Sequence, residues 1–467
     1  MTNVLWTGSE LTDAMGGTYV GLSGEGPVLT ASDVTFDSRQ VKPGDIFFAL
    51  SGERDGHDFV ADAFKRGAVL AVTKRPVEGG PCLLVPDVFK ALYDLAEFAR
   101  ERDPFEKRGA VTGSVGKTSV TQMVMAAISM AGLAHGPVKS FNNHIGVPLT
   151  MARMPAETER VVIEIGMNHA GEIEPLSHLV KPDAVIITNV GPVHTENFED
   201  GETGVMKAKA EIFEGLKLNG LAILNADDKW FAELSNRADE AGAVVASFGE
   251  SEQADAQLLE HRIEDGRAHI KARFRDQEVA FSLAATGKHH AVNAMAVLLM
   301  CEALDVELTI TLLALEAFQA LDGRGKTHVL SKDAGKVILI DESYNANPVS
   351  MAATLKALGA AEKIENVRRI AVLTDMLELG VDEARLHAAL ATVIAENHVD
   401  KVYLAGPLMK YLWETLPESR RGVYADKAED LIAPLTADLK AGDVVLVKGS
   451  NGSHASRIVA GLLAQAS

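Results

Sequence analysis

The sequence predicts an α/β protein with three domains. It has 467 residues, and one hydrophobic core stops growing near about 250–300 residues, so a chain of this length divides into several domains. Runs of β-branched residues alternate with helix-compatible stretches, which indicates parallel sheets covered by helices on both faces. Breaks in this alternation place the predicted domains at residues 1–86, 87–325 and 326–467.

The composition excludes several classes of protein. Hydrophobic residues make up 47% of the chain and charged residues 24%, which is typical of globular rather than disordered or fibrous proteins. The formal net charge of −20 repels phosphate backbones, so no nucleic-acid partner is expected. The apolar run 291–304 contains Asn293 and Glu302 and is too short to span a membrane.

The start of the chain and its cysteines indicate the compartment. The first residues carry acidic side chains where a signal peptide has a basic start and an apolar core. Cys82 and Cys301 are too few for a disulfide framework and lack metal-ligand spacing, which suits a reducing compartment. We therefore expect a cytoplasmic protein in which both cysteines are buried.

The elements follow in order along the chain. Short β-like runs at 45–50 and 68–73 are separated by Gly, Pro and Asp, which is typical of a small α/β domain. A helical pattern extends from about Asp87 to Pro104, and a strand, loop and helix come next. The further strands predicted for the central domain are 161–166, 183–191 and 220–227.

The alternation resumes after the turn-rich segment 321–327. The predicted strands are KVILID, RRIAVLTD, DKVYLAG and DVVLVKG, each followed by a helix-compatible stretch. This pattern predicts a second doubly wound sheet, and in such sheets ligands collect at the carboxyl ends of the strands.

A phosphate-binding loop is predicted at 113–118, where GSVGKT opens an amphipathic helix. Glycines let backbone N–H groups converge on phosphate oxygens, Lys117 reaches the β and γ phosphates, and Thr118 ligates Mg²⁺. Val111 stands where the full pattern has Gly, so the match is a variant, and a glycine-rich turn is the alternative. The predicted nucleotide-contacting residues of this unit are Gly113, Ser114, Val115, Gly116, Lys117, Thr118 and Ser119.

Candidate cation ligands lie on the strands that follow. Glu164 is the charged residue of the apolar run 161–166, and a cation at such a loop takes a strand-end carboxylate. A solvent-facing charge is the alternative. His194 follows another buried strand and is a candidate for a second cation or a phosphate, although a lone loop histidine is more often structural. Lys207 and Lys209 lie on a predicted helix and are, by themselves, ordinary surface lysines.

Taken together, these motifs resemble those of the Mur ligases, ATP-dependent enzymes that add amino acids to the peptidoglycan precursor. The motif YNANP at 344–348 resembles the members that add D-alanyl-D-alanine, and the segment 35–50 resembles a UDP-sugar-binding domain. The matching segments follow the family's order and are TGSVGKTS (112–119), NNHIGVPLT (142–150), EIGMNHAGEI (164–173), TNVGPVHTENF (188–198), KAEIF (209–213) and DESYNANPVSM (341–351).

The resemblance implies a fold and a reaction. The implied fold has a small N-terminal α/β UDP-substrate domain, a central P-loop ATPase-like domain with a parallel sheet, and a C-terminal Rossmann-like ligase domain. The implied reaction joins D-alanyl-D-alanine to UDP-N-acetylmuramoyl-tripeptide through an acyl phosphate, with ATP and Mg²⁺ as cofactors and ADP and phosphate as products. A monomer is expected, and the third residue of the tripeptide stays open.

The resemblance also implies roles for single residues. The implied catalytic residues are Lys117, Lys209, Glu164 and His194. The implied metal ligands are Thr118, Glu164, His194 and a carbamylated Lys209. Asn293 is implied to contact adenine, Asp341 the ribose and Arg324 the phosphates. The implied substrate-binding residues are Ser38, Arg39, Asn142, Asn143, Asn345, Asn347 and Lys448.

Several alternatives stay open. A ligase of the same superfamily with another acceptor, such as diaminopimelate or the glutamate of a folylpolyglutamate synthase, would carry most of these motifs. A small-molecule kinase would share the phosphate-binding loop but should not need a third α/β domain. A non-catalytic nucleotide-gated binding protein would not turn over ATP. For Lys209, an unmodified ammonium paired with Glu211 or with a phosphate is the alternative.

Overall fold

The computed structural model describes residues 4–22, 29–102, 106–137, 141–193, 195–264, 266–332, 335–360 and 367–466. Among these residues, none of the helices combines the length and the apolar character that crossing a bilayer requires. His194, one of the predicted ligands, lies outside the described residues.

The N-terminal part of the chain forms a small mixed sheet flanked by helices. Its elements are β1 (Trp6–Thr7), α1 (Gly8–Met15), β2 (Thr18–Val20), β3 (Thr30–Ala31), β4 (Asp33–Thr35), β5 (Asp45–Phe48), α2 (Val60–Lys65), β6 (Leu70–Thr73), β7 (Cys82–Leu84) and α3 (Val88–Glu101). The sheet order is β2-β7-β6-β5-β4, with parallel pairing except between β2 and β7. The predicted helix after Asp87 begins there because the Asp87 side chain accepts hydrogen bonds from the backbone of Phe89 and Lys90.

The central part is built on a larger sheet. Its elements are β8 (Lys107–Thr112), α4 (Lys117–Ala131), β9 (Ala134–His135), α5 (Gly146–Ala152), β10 (Arg160–Glu164), α6 (Ile173–Val180), β11 (Ala184–Ile187), α7 (Glu202–Ala210), β12 (Leu221–Asn225), α8 (Phe231–Glu240), β13 (Val244–Gly249), β14 (Ala256–Glu264), β15 (Arg267–Phe274), β16 (Gln277–Leu283), α9 (Lys288–Ala303) and α10 (Leu308–Ala317). The sheet order is β16-β15-β14-β13-β12-β11-β8-β10-β9. Strands β8 to β13 pair in parallel, as predicted.

One edge of this sheet departs from the prediction of a parallel sheet covered on both faces. β14, β15 and β16 pair antiparallel, and a two-residue turn that includes Arg275, at a φ of +53°, joins β15 to β16. Along β15, buried residues such as Ala268 and Ile270 alternate with more exposed ones. An antiparallel hairpin can face water on one side, so this edge needs cover on only its inner face.

The C-terminal part forms a third sheet. Its elements are β17 (Lys326–Lys332), β18 (Gly335–Glu342), α11 (Pro348–Ala360), β19 (Arg369–Thr374), α12 (Glu383–Glu396), β20 (Lys401–Ala405), α13 (Met409–Thr415), β21 (Arg421–Ala425), α14 (Ile432–Asp438), β22 (Val444–Lys448) and α15 (Ala455–Ala466). The sheet order is β17-β18-β22-β19-β20-β21, and β17 pairs with β18 in the antiparallel sense. Apolar clusters cover both faces of the sheet. The predicted α/β class is therefore confirmed, while the boundaries after residues 86 and 325 stay predictions.

Trp6 anchors the N-terminal part on the central part. Its side chain is 0% exposed, and its indole Nε1 donates a hydrogen bond to the carbonyl of Ala152 in α5 at 2.9 Å. The guanidinium carbon of Arg102 lies 3.8 Å from the ring centroid. Trp6 belongs to one apolar cluster that runs from α1 to α8 without a break between the two parts.

We predict that Trp6→Ala lowers the free energy of unfolding by about 3–5 kcal/mol, because it leaves a cavity where the buried indole ring was. Urea unfolding followed by circular dichroism measures this change. Trp6→Phe keeps most of the volume and should lose much less. An unchanged midpoint in Trp6→Ala would show that the two parts do not depend on this anchor.

Candidate active site

The carboxyl ends of two sheets face each other across one cavity. β8, β10 and β11 of the central sheet end on one side, and β18 and β22 of the C-terminal sheet end on the other. The cavity between them has a volume of about 370 Å³. Residues predicted from the sequence that line it are Ser114, Val115, Gly116, Lys117, Thr118, Ser119, Asn142, Glu164, Asn293, Arg324, Asn345, Asn347 and Lys448.

The phosphate-binding loop has the backbone geometry that its glycines predict. Gly113 has a φ of +147°, and a Cβ atom there would lie 1.9 Å from Thr188 Oγ1. Gly116 has a φ of +88° and stands directly before α4. No described side chain caps the start of α4, so the positive end of the helix dipole faces the cavity. Such an end favours an anion.

The loop is fastened to the segment that follows β11. Thr188 Oγ1 donates a hydrogen bond to the Val115 carbonyl at 2.6 Å, and the Val115 N–H donates to Asn189 Oδ1 at 3.1 Å. Ser114 Oγ accepts from the Gly191 N–H at 2.9 Å. The sequence motif TNVG was recognised, but no role was predicted for Thr188 or Asn189. Their position directly after a buried strand was the signal available.

Glu164 lies at the end of β10 beside the first turn of α4. Its side chain is 1% exposed, and it accepts hydrogen bonds from Thr118 Oγ1 and Asn142 Nδ2, each at 2.7 Å. The predicted buried carboxylate and the predicted loop hydroxyl are thus in direct contact. Hard oxygen donors of this kind suit Mg²⁺.

Two lysines of the central domain are withdrawn from water near this point. Lys117 Nζ donates a hydrogen bond to the Gly113 carbonyl at 2.7 Å, and burial lowers the pKa of Lys117. Lys209 is only 4% exposed, and its side-chain nitrogen has no hydrogen bond or ion pair with a described residue. Burial, followed by the charge of Lys117, brings the pKa of Lys209 well below its ordinary value. Lys207 instead pairs with Asp200 at the surface, at 2.8 Å.

Glu342 and Lys448 form the facing wall. They occupy neighbouring register positions at the ends of β18 and β22, and Lys448 Nζ lies 3.6 Å from a Glu342 oxygen. Lys448 Nζ also donates to the Asn345 carbonyl at 2.9 Å. Burial alone would raise the pKa of Glu342. The neighbouring Lys448, His289 and His290 outweigh this effect and lower the pKa of Glu342 to about 2. Sequence reasoning missed Glu342 because it chose the preceding carboxylate, Asp341.

Asp341 is engaged inside the protein. It is 4% exposed and accepts hydrogen bonds from the Gly323 N–H at 2.8 Å, the Ser343 N–H at 3.1 Å and Ser343 Oγ at 2.6 Å. Its predicted contact with a ribose stays a prediction. Arg324 does face the cavity, where its guanidinium carbon lies 3.9 Å from the ring centroid of Tyr344.

Two of the predicted substrate-binding asparagines hold helix starts. Asn347 Oδ1 accepts from the Ser350 N–H at 2.9 Å at the start of α11. Asn143 Oδ1 accepts from the Gly146 N–H at 2.9 Å at the start of α5, and its side chain is exposed. Asparagine is a preferred residue at such positions. Asn347 still lines the cavity, whereas Asn143 does not.

Ser38 and Arg39 lie in the N-terminal part, away from this cavity, in a short 3₁₀ helix (Ser38–Gln40). The Arg39 side chain is 81% exposed and makes two hydrogen bonds to Asp37, at 2.9 and 2.8 Å. These bonds hold the pKa of Asp37 at about 2. The predicted contact of Ser38 and Arg39 with a UDP group stays a prediction.

Family models match three successive parts of the chain. The Mur ligase family catalytic domain matches residues 30–98, the Mur ligase middle domain matches 111–301, and the Mur ligase glutamate ligase domain matches 325–451.

Similar proteins extend over the whole chain. The UDP-N-acetylmuramoyl-tripeptide--D-alanyl-D-alanine ligase of Rickettsia prowazekii is 31% identical, over 98% of this chain and 99% of that protein. The protein of the same name from Escherichia coli K12 is 32% identical, over 97% of each. The crystal structure of MurF from Acinetobacter baumannii has a TM-score of 0.86 at 28% identity, over 98% of this chain and 99% of that one. The chain therefore belongs to the Mur ligase family, as the motifs predicted.

We predict that Gly113→Ala lowers nucleotide affinity by more than about tenfold, since the new methyl group would displace the Thr188 hydroxyl that holds the loop. Titration calorimetry with an ATP analogue measures the affinity. Gly52→Ala, where a Cβ atom meets nothing within 4 Å, is the matched control. Equal affinities in both variants would contradict the role given to Gly113.

Proposed function

We propose that this enzyme joins the amino group of D-alanyl-D-alanine to the terminal carboxylate of UDP-N-acetylmuramoyl-tripeptide, with ATP cleaved to ADP and phosphate. The observation that carries the proposal is one cavity lined by Lys117 and Thr118 of the central domain and by Glu342 and Lys448 of the C-terminal domain. Full-length similarity to ligases named for these two substrates supports the choice of substrates.

The arrangement suits a reaction in two steps. A carboxylate resists attack by an amine, so the γ-phosphoryl group of ATP is first transferred to the tripeptide carboxylate. The amine then attacks the acyl carbon, phosphate leaves, and a peptide bond forms. Most of the catalysis is positioning and charge neutralisation. Lys117 at the start of α4 and Lys448 on the facing wall supply the positive charge.

The oxygen donors at the start of α4 fit Mg²⁺. Thr118 and Glu164 bring a hydroxyl and a carboxylate within 2.7 Å of each other, and Asn142 orients the second carboxylate oxygen. When bound there, Mg²⁺ neutralises charge on the transferring phosphates. His194 stays a proposed ligand of a second cation.

We also propose that Lys209 is carbamylated. A buried amine with a lowered pKa and no described partner is available to combine with CO₂. A nitrogen–carbon bond forms, one proton is released, and the carbamate supplies two oxygens of the kind that a cation binds. An ammonium at the same place would lie near Lys117 and be repelled by it. This environment argues against the alternative of an ordinary surface lysine.

The acceptor and the setting complete the proposal. Relatives named for D-alanyl-D-alanine addition favour this acceptor over diaminopimelate or glutamate. A small-molecule kinase should not need the third α/β domain, which contributes Glu342 and Lys448 to the cavity. The N-terminal domain, with Ser38 and Arg39, is proposed to hold the UDP group, and the enzyme is proposed to act as a monomer in the cytoplasm.

Phosphate release with each substrate omitted in turn tests the function. We predict steady release only when ATP, the UDP-tripeptide and D-alanyl-D-alanine are all present. Lys117→Ala should abolish release, with at least a 10³-fold loss, because it removes charge at the phosphates while the fold is kept. Near-normal release by Lys117→Ala would refute the site, and release without the dipeptide would favour a kinase.

Lys209→Ala should reduce turnover by at least about 10²-fold, because the carbamate oxygens are lost. A short carboxylic acid added to the assay should restore part of the rate by filling the vacated space. Lys207→Ala, at the surface of the same helix, is the control and should behave as the parent enzyme. Full activity of Lys209→Ala would contradict the assignment. So would an intact-protein mass that lacks the carbamate, if turnover by the parent enzyme is also unchanged after CO₂ is removed.

A further inference from the structure

A second, smaller cavity adjoins the phosphate-binding loop on the C-terminal side. Its volume is about 180 Å³. Ser114 and Lys117 contribute the central-domain wall, and Asn347, Glu378 and Ser450 contribute to the opposite wall. Among the described residues that line it, Lys117 and Glu378 are the charged ones.

Glu378 is held at this cavity by a fastened loop. The loop follows β19, where the Met376 N–H donates to His387 Nε2 at 3.0 Å and the Leu377 N–H donates to Ser450 Oγ at 3.0 Å. Glu378 itself has a φ of +62°, a conformation that residues with a side chain seldom adopt and that persists only when the surroundings impose it. Its carboxylate has no hydrogen bond or ion pair with any described residue.

The other carboxylates around the two cavities are already engaged. Glu164 accepts from Thr118 Oγ1 at 2.7 Å, and Asp341 accepts from backbone N–H groups. Glu342 lies 3.6 Å from Lys448 Nζ. Glu378 therefore supplies an available negative charge close to the phosphate-binding loop.

The proposed reaction requires such a group. The α-amino group of a dipeptide has a pKa of about 8, so at neutral pH much of it is an ammonium without a free electron pair. The ammonium must enter beside Lys117, which repels it, and must lose a proton before it attacks. A carboxylate on the opposite wall offsets the repulsion and accepts the proton.

We propose that Glu378 binds the ammonium of the incoming D-alanyl-D-alanine and takes up its proton, an inference that rests on the proposed function. The proton passes from the nitrogen to the Glu378 carboxylate, and the freed electron pair forms the bond to the acyl carbon. The bond between the acyl carbon and the phosphate oxygen breaks, and phosphate leaves with the electron pair of that bond. The second proton on the nitrogen goes to the departing phosphate.

Glu378→Gln separates the two half-reactions. With D-alanyl-D-alanine as acceptor, we expect kcat/KM for the dipeptide to fall on the order of 10²- to 10⁴-fold. With hydroxylamine as acceptor, which is a neutral nucleophile at neutral pH, hydroxamate formation from ATP and the UDP-tripeptide should stay within about twofold, because acyl phosphate formation and its trapping by a neutral amine do not use Glu378. Glu378→Asp keeps the charge and should retain an intermediate rate with the dipeptide.

Asp382→Asn is the matched control, because Asp382 follows on the same segment but pairs with Arg385 at the surface. It should leave both reactions unchanged, and thermal melting checks that all variants are folded. Loss of hydroxamate formation in Glu378→Gln, or normal dipeptide ligation by it, would overturn the proposal. If the parent enzyme forms hydroxamate but does not use D-alanyl-D-alanine, it is the proposed function that fails.

Discussion

The buried carboxylate of Glu164 is the interaction on which the rest of the site depends. Removing an ionised carboxylate from water costs several kcal/mol unless hydrogen bonds compensate. Thr118 and Asn142 provide those bonds at 2.7 Å each, so one side chain fixes the first turn of α4 and the segment before α5 relative to β10. Thr188 and Asn189 hold the loop from the β11 side. The glycines then point their N–H groups into a cavity whose walls are already set.

Positive charge is concentrated here in an otherwise acidic protein. The chain carries a net charge of −20, yet Lys117 and Lys448 line the same cavity from opposite walls, and burial lowers the pKa of both. Buried ammonium groups are unfavourable until an anion arrives, and the phosphates of a nucleotide are such anions. A local pocket of lysines and helix N–H groups thus overrides the overall field, which is why the net charge excludes nucleic acid more readily than a small anionic substrate.

Sequence reasoning located the strands and residues on both walls of the cavity, because strand ends follow local patterns. Apolar runs mark buried parallel strands, and functional residues such as Glu164 and Lys448 stand where those runs end. Contacts between distant loops leave no such pattern, so the pairing of Glu342 with His289 and Lys448 was not foreseen. An asparagine before a helix can serve as a cap or as a ligand. The side chain of Asn143 holds the start of α5, and its predicted contact with substrate stays a prediction. The antiparallel edge β14 to β16 was missed because its alternating pattern is weaker than the continuous apolar runs beside it.

The link between the central and C-terminal domains shows why the two walls meet. Gly323 and Gly325 have φ values of +76° and +90°, and a Cβ atom on Gly325 would lie 2.6 Å from His290 Nε2. Asp341 holds both glycines, through its side chain for Gly323 and through its carbonyl for Gly325, each at 2.8 Å. At Gly323 and Gly325, therefore, the link passes between the start of α9 and the end of β18 with no room for a side chain. Asp341 lies one residue before Glu342 on β18. The hydrogen bonds that fasten the link to Asp341 therefore also position Glu342, and its neighbour Lys448, at the cavity that faces Lys117.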